Sequence, residues 1–329
     1  MNPKISVVIP VYNGSPFLGE AIQSALDQHH PPHEIIVIDD GSTDDTPKII
    51  ENFKDKVITR RLKNSGVANA MNIGMGLATG DYIAFLDHDD VWFKDKLKQQ
   101  LEAFLQYPEV GFSCCNFATR PTGLNRRLVR HYFKLVSLKG FNFNPPLMRD
   151  PVRRLFQENF VGTSSVAVVK KELARRVGLF NTKYRICGDY DFWLRCALVT
   201  DFVVLPEMLL YKRSHSTNIS SNQIKTISEH RQVLYDFVLN QKEYLTNKGI
   251  LGFCQFELAK RNYHLGNLHF GSGNRKQAFY FYFQGLRAYP KPKNMALLMM
   301  IVFKKLVQLM AFNAFKGNKE KNNFGTVSR

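Results

Sequence analysis

The chain has 329 residues, enough for one large domain or for a domain of about 220 residues with a smaller addition, and the sequence favours the second. Hydrophobic residues make up 44% and charged residues 22%, values that exclude a disordered chain. Lys and Arg number 45 against 28 Asp and Glu, and the net charge of +17 favours phosphate-rich partners: a nucleotide diphosphate, an anionic membrane or a nucleic acid.

The five cysteines form no CxxC pair, and the residues before the first apolar run lack the pattern of a signal peptide. We therefore expect a cytoplasmic protein. Its cysteines are expected to be small core residues rather than metal ligands or disulfide partners.

The first 115 residues predict alternating strands and helices. Apolar runs at 5–12, 35–38 and 82–86 are typical of strands buried on both faces, and a further short strand is expected at 57–62. Helical stretches are expected at 17–28 and 66–78, and Ser42 or Thr43 is placed to cap another helix. This alternation predicts an α/β fold with a mostly parallel, Rossmann-like sheet flanked by helices.

Carboxylates follow two of these strands, at the sheet edge where ligands bind in such folds. Asp39 and Asp40 follow the second strand, and Asp87, Asp89 and Asp90 follow the fourth. Crowded carboxylates repel one another and lose hydration when covered, so they require a cation or a set of donors. The first pair suits a base N–H or a ribose hydroxyl. The second group suits Mg²⁺ or Mn²⁺ shared with a substrate diphosphate.

Four segments taken in order resemble the family 2 glycosyltransferases, inverting enzymes with the GT-A fold. They are SVVIPVYNG, VIDDGSTDDT, NSGVANAMNIGMGLATGDYIAFLDHDD and GDYDFWLR, and the resemblance extends over residues 4–218. It implies transfer of a hexosyl or N-acetylhexosaminyl group from a nucleotide diphosphate donor, most often a UDP-sugar, to an acceptor hydroxyl. Mn²⁺ or Mg²⁺ is the implied cofactor.

The resemblance also implies roles for residues at matching positions. Asp89 is expected to bind the metal directly, Asp87 to contact the ribose or the metal, and Asp90 to contact the sugar. Arg213 or His215 would reach the leaving diphosphate or the metal, with anchoring of a flexible loop as the alternative. The donor-binding positions expected together are Pro10, Tyr12, Asp39, Asp40, Gly66, Asn72, Asp87, His88, Asp90 and Arg213. The metal ligands expected are Asp89, Asp87 and His215.

Asp189 matches the catalytic base of the family, which removes a proton from the attacking hydroxyl. Gly188 departs from the family pattern, which has Glu there, so a supporting carboxylate is missing. Two interpretations of Asp191 remain. It is either an ordinary first-turn carboxylate that the helix dipole stabilises or a functional group. Trp193 is expected in the core rather than on a sugar.

Beyond this point the sequence predicts a C-terminal α-helical extension. Residues 258–292 have the spacing of one tetratricopeptide-like helical hairpin turned at 271–273. Residues 295–312 are largely apolar but contain Lys304 and Lys305, which indicates a membrane-surface helix, or a helix packed on the protein, rather than a transmembrane helix. Residues 316–329 are expected to be a disordered basic tail.

The predicted domains are a catalytic domain at 1–220, with a nucleotide-binding half at 1–115 and an acceptor half at 116–220, and a helical region at 221–315. Within the acceptor half, residues 118–158 are basic and aromatic and are expected to contribute to the choice of acceptor.

The predicted function is transfer of a sugar to a glycan or lipid-linked acceptor in surface polysaccharide or lipopolysaccharide synthesis, at the inner face of the cell membrane. The alternative is a non-catalytic nucleotide-sugar or glycan-binding scaffold, suggested by Gly188. No nucleic-acid module is recognised, so no nucleic-acid partner is expected.

Overall fold

A computed structural model describes residues 3–121, 130–131, 138 and 141–290. The chain divides into two units, Met1–Asn240 and Gln241–Arg329. The predicted membrane-surface helix at 295–312 and the predicted tail at 316–329 lie outside the described residues, as does most of the basic segment between 122 and 140.

The strands of the first unit form one mixed sheet. They are β1 (Ile5–Val11), β2 (Glu34–Asp39), β3 (Ile58–Arg61), β4 (Tyr82–Phe85), β5 (Val91–Trp92), β6 (Phe112–Pro121), β7 (Arg130–His131), β8 (Leu147–Met148), β9 (Val168–Lys170) and β10 (Phe202–Ser214). Their order is β3-β2-β1-β4-β9-β6-β10-β5, with β7 beside β6 and β8 beside β10.

The half of the sheet from β3 to β4 is parallel, as predicted. Beyond β4 the sheet is mixed, because β9 pairs antiparallel with both β4 and β6. The chain enters β9 from the carboxyl end of β4, where residues 163–165 cross, and therefore runs against β4. The α/β class is confirmed, and this crossing brings residues 163–165 to the carboxylates that follow β4.

Eight helices of the first unit fall within the described residues. They are α1 (Leu18–Leu26), α2 (Thr46–Glu51), α3 (Val67–Leu77), α4 (Lys96–Gln106), α5 (Pro151–Gln157), α6 (Lys171–Val177), α7 (Gly188–Ala197) and α8 (Gln223–Asn240).

The prediction that Ser42 or Thr43 caps a helix is wrong, because α2 begins only at Thr46. The hydroxyl of Ser42 instead accepts the backbone N–H of Asn13 at 2.9 Å. The N–H of Thr43 donates to the Asn13 side chain at 2.8 Å. These bonds join the turn after β2 to the end of β1, so the two strand ends are held together.

An aromatic cluster fixes α7 against the sheet. Trp193 is fully buried, and its ring centroid lies 5.1 Å from that of Phe112 and 6.1 Å from that of Phe85. Burying an aromatic side chain of this kind contributes roughly 1.5 to 3 kcal/mol. The prediction that Trp193 belongs to the core is confirmed, and the cluster holds the first turn of α7, with Asp189, in place.

The second unit contains α9 (Lys242–Asn247), α10 (Leu251–Gly271) and α11 (Arg275–Ala288). The helices α10 and α11 form the expected hairpin. A Cβ at Gly266 would lie 2.4 Å from the ring of Tyr282, and one at Gly285 would lie 2.2 Å from the ring of Tyr263, so the two glycines admit the facing rings. Across the described part of the chain, none of the helices has both the length and the apolar character that a membrane span requires.

Candidate active site

The loop before α3 holds Asp40 in a fixed orientation. One carboxylate oxygen accepts the N–H and the hydroxyl of Ser65, at 2.9 and 3.1 Å, and the other accepts the N–H of Gly66 at 2.8 Å. Gly66 has a φ of +96°, which a glycine adopts without strain. Gly66 therefore belongs to the site through its bond to Asp40.

Asp39 stabilises the turn after β2. Its Oδ1 accepts the N–H of Ser42 at 2.8 Å, and Nε of Arg61 lies 3.3 Å from its Oδ2. Arg61 also donates to the carbonyl of Ser42 at 2.8 Å. Asp39 therefore stabilises the turn after β2, while Asp40 is bonded to the loop before α3, so the two adjacent carboxylates join different segments.

Tyr12 and Pro10 lie at the end of the neighbouring strand β1. Pro10 is buried and pairs with Ile38 in the sheet, whereas the side chain of Tyr12 is 46% exposed. An exposed ring beside a fixed carboxylate offers one surface for stacking and one group for hydrogen bonding. The sequence-predicted nucleoside contacts are therefore neighbours in the fold.

Asn72 uses both ends of its side chain in a structural contact. Its Nδ2 donates to the carbonyl of Phe180 at 2.9 Å, and its Oδ1 accepts the N–H of Phe180 at 2.7 Å. These bonds join α3 to the segment before α7. The donor-binding role of Asn72 stays a prediction, and its amide is already engaged.

The three carboxylates after β4 form a compact cluster. Asp87, Asp89 and Asp90 each place a carboxylate oxygen within 4.8 Å of the other two. The hydroxyl of Ser164 donates to Asp87 at 2.5 Å, and that of Thr163 donates to the second oxygen of Asp87 at 3.0 Å. Clustered carboxylate oxygens are the ligands that Mg²⁺ and Mn²⁺ take in proteins, so these residues fit the implied metal.

The segment after β10 closes on Asp89. Nε2 of His215 lies 3.0 Å from Oδ2 of Asp89, and Nδ2 of Asn218 donates to the same oxygen at 2.8 Å. The ring of His215 stacks on Phe17 with a centroid distance of 4.9 Å. The structure thus brings His215 to its predicted partner. The contact of Asn218 with Asp89 was not predicted from the sequence, although Asn218 follows His215 by only three residues.

His88 packs against Gly14, in the loop between β1 and α1. A Cβ at Gly14 would come within 2.4 Å of Cδ2 of His88. The imidazole therefore requires the absence of a side chain at this position. The contact fixes the carboxylate loop against the chain that leads into α1.

Arg213 has the contacts of an anchor. Its guanidinium pairs with Glu20, lies 5.1 Å from the ring centre of Phe17, and approaches the carbonyl of Asp89 at 3.4 Å. Its own backbone N–H donates to Asp90 at 3.3 Å. These contacts join the end of β10 to α1, which is the alternative that the sequence left open for this residue.

Lys212 is a cation of the site for which the sequence contains no local signal. Its Nζ lies 3.9 Å from Oδ2 of Asp90 and donates to Thr163 at 3.2 Å. Burial opposes its charge, but the charges of Asp90, Asp87, Asp89 and Asp189 raise the pKa of Lys212 above its ordinary value. Adjacent side chains of a strand point to opposite faces of the sheet, so of the consecutive cations Lys212 and Arg213 only one side chain can face the carboxylates.

Asp189 is half-buried in the first turn of α7. Burial raises the pKa of Asp189 to about 7, and the N–H of Tyr190, which donates to its carboxylate at 2.7 Å, opposes this increase. The charge of Asp87 also raises the pKa of Asp189, whereas the charge of Lys212 lowers it. Asp189 is therefore in electrostatic range of the carboxylate cluster. A carboxyl group with this pKa exchanges a proton near neutral pH.

A carboxylate from α8 supports the start of α7, where the family residue Glu is replaced by Gly188. One oxygen of Glu229 accepts the N–H groups of Ile186 and Cys187, at 2.6 and 2.7 Å. A Cβ at Gly188 would make only ordinary contacts at 3.7 Å, so space does not exclude a side chain there. Glu229 lies far from this helix in the sequence and had no local signal.

Asp191 is paired within α7. Its Oδ2 lies 2.9 Å from Nε and 2.8 Å from Nη2 of Arg195. Arg195 also donates to the carbonyls of Val177 and Leu179 at 2.6 and 2.9 Å. Of the two interpretations of Asp191, the structure favours the structural one.

Comparisons with known proteins agree with this geometry. Residues 6–178 match the model of glycosyl transferase family 2. An uncharacterised glycosyltransferase of Nostoc sp. is 30% identical over 240 residues, 69% of each chain. A Bacillus subtilis glycosyltransferase assigned to teichuronic acid biosynthesis is 42% identical over 110 residues, 32% of this chain and 43% of its own.

Two solved structures share the fold. TarS of S. aureus, in complex with UDP-GlcNAc, superposes with a TM-score of 0.65 at 19% identity, over 87% of this chain and 82% of TarS. The mannosyltransferase PcManGT of Pyrobaculum calidifontis, in complex with GDP-Man and Mn²⁺, gives 0.56 at 19% identity, over 93% and 88%. With the family match over more than half of its length, the chain belongs to the family 2 glycosyltransferases and has the GT-A fold.

Proposed function

We propose that this chain is an inverting, metal-dependent glycosyltransferase that moves a hexosyl or N-acetylhexosaminyl group from a UDP-sugar to a hydroxyl of a glycan or lipid-linked acceptor. The observation that carries the proposal is the pairing of two unlike carboxylate sites. Asp87, Asp89 and Asp90 are clustered as cation ligands, while Asp189 has a pKa of about 7 and lies in electrostatic range of them.

The nucleoside is assigned to the surface at the carboxyl ends of β1 and β2. Tyr12 stacks on the base, and Asp40, oriented by Ser65 and Gly66, accepts a base N–H. A uridine donor is supported by the UDP-GlcNAc complex of TarS. The GDP-Man complex of PcManGT makes guanosine the comparison to test.

The metal is assigned to Asp89, with Asp87, Asp90 and His215 around it. The compact oxygen cluster and the Mn²⁺ of PcManGT support this assignment. A bound divalent cation supplies charge neutralisation for the departing diphosphate. Hydroxyls from Thr163 and Ser164 keep the Asp87 carboxylate in one orientation.

Asp189 is assigned as the general base. As the acceptor oxygen forms its bond to the anomeric carbon, the hydroxyl proton passes to Asp189 and the bond to the diphosphate oxygen breaks. A base on one face of the sugar and a leaving group on the other give inversion. Because Glu229 holds the turn before Asp189, the loss of Glu at Gly188 is a weaker argument for a non-catalytic scaffold.

The proposed acceptor is a glycan or lipid-linked intermediate of surface polysaccharide or lipopolysaccharide synthesis. The relative assigned to teichuronic acid biosynthesis supports a polysaccharide acceptor. The specific acceptor sugar and linkage are expected to depend on the segment 118–158.

The membrane contact predicted at 295–312 stays a prediction, and we propose one face of α11 as a further surface for an anionic membrane. Phe279, Tyr280 and Phe283 are 39%, 50% and 63% exposed, and Lys276 and Arg287 lie on the same helical face. Exposed aromatic rings bordered by cations match the chemistry of an anionic lipid surface.

Sedimentation with vesicles tests the membrane contact. The full-length protein should sediment with phosphatidylglycerol vesicles and less with phosphatidylcholine vesicles, and Phe283→Ser should weaken binding. Leu105→Ser is the matched control, since Leu105 is also 63% exposed but lies on α4. Equal losses in both variants, or a loss in neither, would contradict the assignment to α11.

Donor turnover tests the enzymatic proposal. The protein is incubated with Mn²⁺ and, in turn, UDP-GlcNAc, UDP-glucose and GDP-mannose, with and without a polysaccharide acceptor fraction, and the released diphosphate is measured. We expect one donor to be consumed faster with acceptor. Tight donor binding without turnover under any condition would favour the scaffold.

A further inference from the structure

The carboxylate cluster already contains a cation supplied by the chain. Within the described residues, Lys212 is the one Lys or Arg whose side chain forms an ion pair with these carboxylates, at 3.9 Å from Asp90. The oxygens of the cluster that face an ammonium are the same kind of ligand that a divalent cation requires. An ammonium and a metal ion therefore compete for one region of negative charge.

The ammonium of Lys212 is held by the charge of the cluster and by few directed bonds. It has one hydroxyl contact, to Thr163 at 3.2 Å, and a long ion pair, and its side chain is 25% exposed. The neighbouring Arg213, by contrast, is fixed by Glu20, by Phe17 and by the carbonyl of Asp89. Lysine has a flexible four-carbon stem and a compact charge, so its head group moves with little loss of contacts.

We propose that Lys212 occupies the cation region of Asp87, Asp89 and Asp90 in the donor-free protein, yields it to the divalent metal, and then pairs with the donor diphosphate. This inference rests on the proposed function for its diphosphate half. A lysine ammonium binds phosphate oxygens as a point charge, and the donor brings those oxygens to the same edge of the sheet. Lys212 therefore weakens binding of the metal alone and strengthens binding of the metal with nucleotide.

Two equilibrium measurements on full-length protein test this. Binding of Mn²⁺ alone is measured by the electron paramagnetic resonance of free Mn²⁺, and binding of UDP is measured by calorimetry at saturating Mn²⁺. For Lys212→Met we expect Mn²⁺ alone to bind about tenfold tighter and UDP about tenfold weaker, each equal to about 1.4 kcal/mol. Lys94→Met, which removes an exposed lysine elsewhere, should change neither.

Lys212→Arg guards against a folding defect, because it keeps the charge and should restore most of the UDP affinity. Mn²⁺ binding to Lys212→Met that is equal to or weaker than that of the wild type overturns the competition. Unchanged UDP affinity in the same variant overturns the pairing with diphosphate. Absence of UDP and GDP binding in the wild type contradicts the proposed donor site itself, whereas the Mn²⁺ measurement continues to test the competition.

Discussion

Asp87 and Asp89 on the donor side are held differently from Asp189 on the acceptor side, whereas Asp90 resembles Asp189 in that burial raises its pKa. Asp87 and Asp89 receive hydroxyl, imidazole and amide groups from two separate segments, at 163–164 and 215–218. Asp189 is bonded by backbone N–H groups of its own helix turn and is otherwise desolvated. Donors from two segments orient the oxygens of Asp87 and Asp89 for a cation, whereas burial raises the pKa of Asp189 and prepares a base.

The largest effect is expected from breaking the donor side at Asp89. Asp89→Ala removes the carboxylate that His215 and Asn218 orient, so metal-dependent UDP affinity should fall by about 10² or more and transfer should be lost. Calorimetry with Mn²⁺ and a transfer assay measure the two. Asp55→Ala, at an exposed position, serves as the control. Unchanged UDP affinity in Asp89→Ala would contradict the assignment of the metal to this cluster.

Asp189→Asn distinguishes loss of the acceptor side from loss of the donor side. The variant lacks the proton acceptor, so transfer should fall by about 10² to 10⁴ while UDP affinity in Mn²⁺ stays as in the wild type. Asp191→Asn is the matched control on the same helix, because Asp191 pairs with Arg195. Transfer at the wild-type rate in Asp189→Asn would exclude Asp189 as the base.

A smaller effect is expected when the support of α7 is removed. Glu229→Ala leaves the N–H groups of Ile186 and Cys187 without their acceptor, and a lost acceptor of this kind costs about 1 to 2 kcal/mol. We expect transfer to fall about tenfold at constant donor affinity. Glu229→Gln keeps an acceptor oxygen and should retain most activity. A fall in donor affinity instead would place Glu229 outside the acceptor side.

The smallest effect concerns pH. Because the pKa of Asp189 is raised to about 7 in the folded protein, the base is ionised only above that pH, and transfer should increase through pH 7. The folded state binds the proton more tightly than the unfolded state, so the free energy of unfolding should decrease as the pH rises from about 4 to about 7. Asp189→Asn should show a smaller decrease, by roughly 1 kcal/mol for a half-buried group, because Asp90, whose pKa is also raised by burial, remains. Identical unfolding curves against pH would contradict the raised pKa.

The sequence predicted those parts of the fold and site that depend on short segments. Strands β1, β2 and β4 are apolar because both faces are buried, whereas the edge strand β3 is exposed along its length. The carboxylates Asp40, Asp87, Asp89 and Asp189 follow or begin their elements directly. The positions of these strands and carboxylates can therefore be predicted from short stretches of sequence.

The residues that were missed depend on contacts between distant segments. Lys212 and Asn218 meet the cluster only because of the register of β10, and Glu229 meets α7 only because α8 packs beside it. No period or motif fixes these contacts. The reversed direction of β9 was missed for the same reason, since it depends on where residues 163–165 cross the sheet.

The most direct test of the central claim is a calorimetric titration of the wild-type protein with UDP, GDP, CDP and dTDP, each with Mn²⁺ and with a chelator. We expect that one nucleotide, UDP, binds at least about tenfold tighter with Mn²⁺, a difference of about 1.4 kcal/mol. Equal affinity in both conditions, or no binding of any nucleotide, would contradict a metal-dependent donor site at Asp87, Asp89 and Asp90.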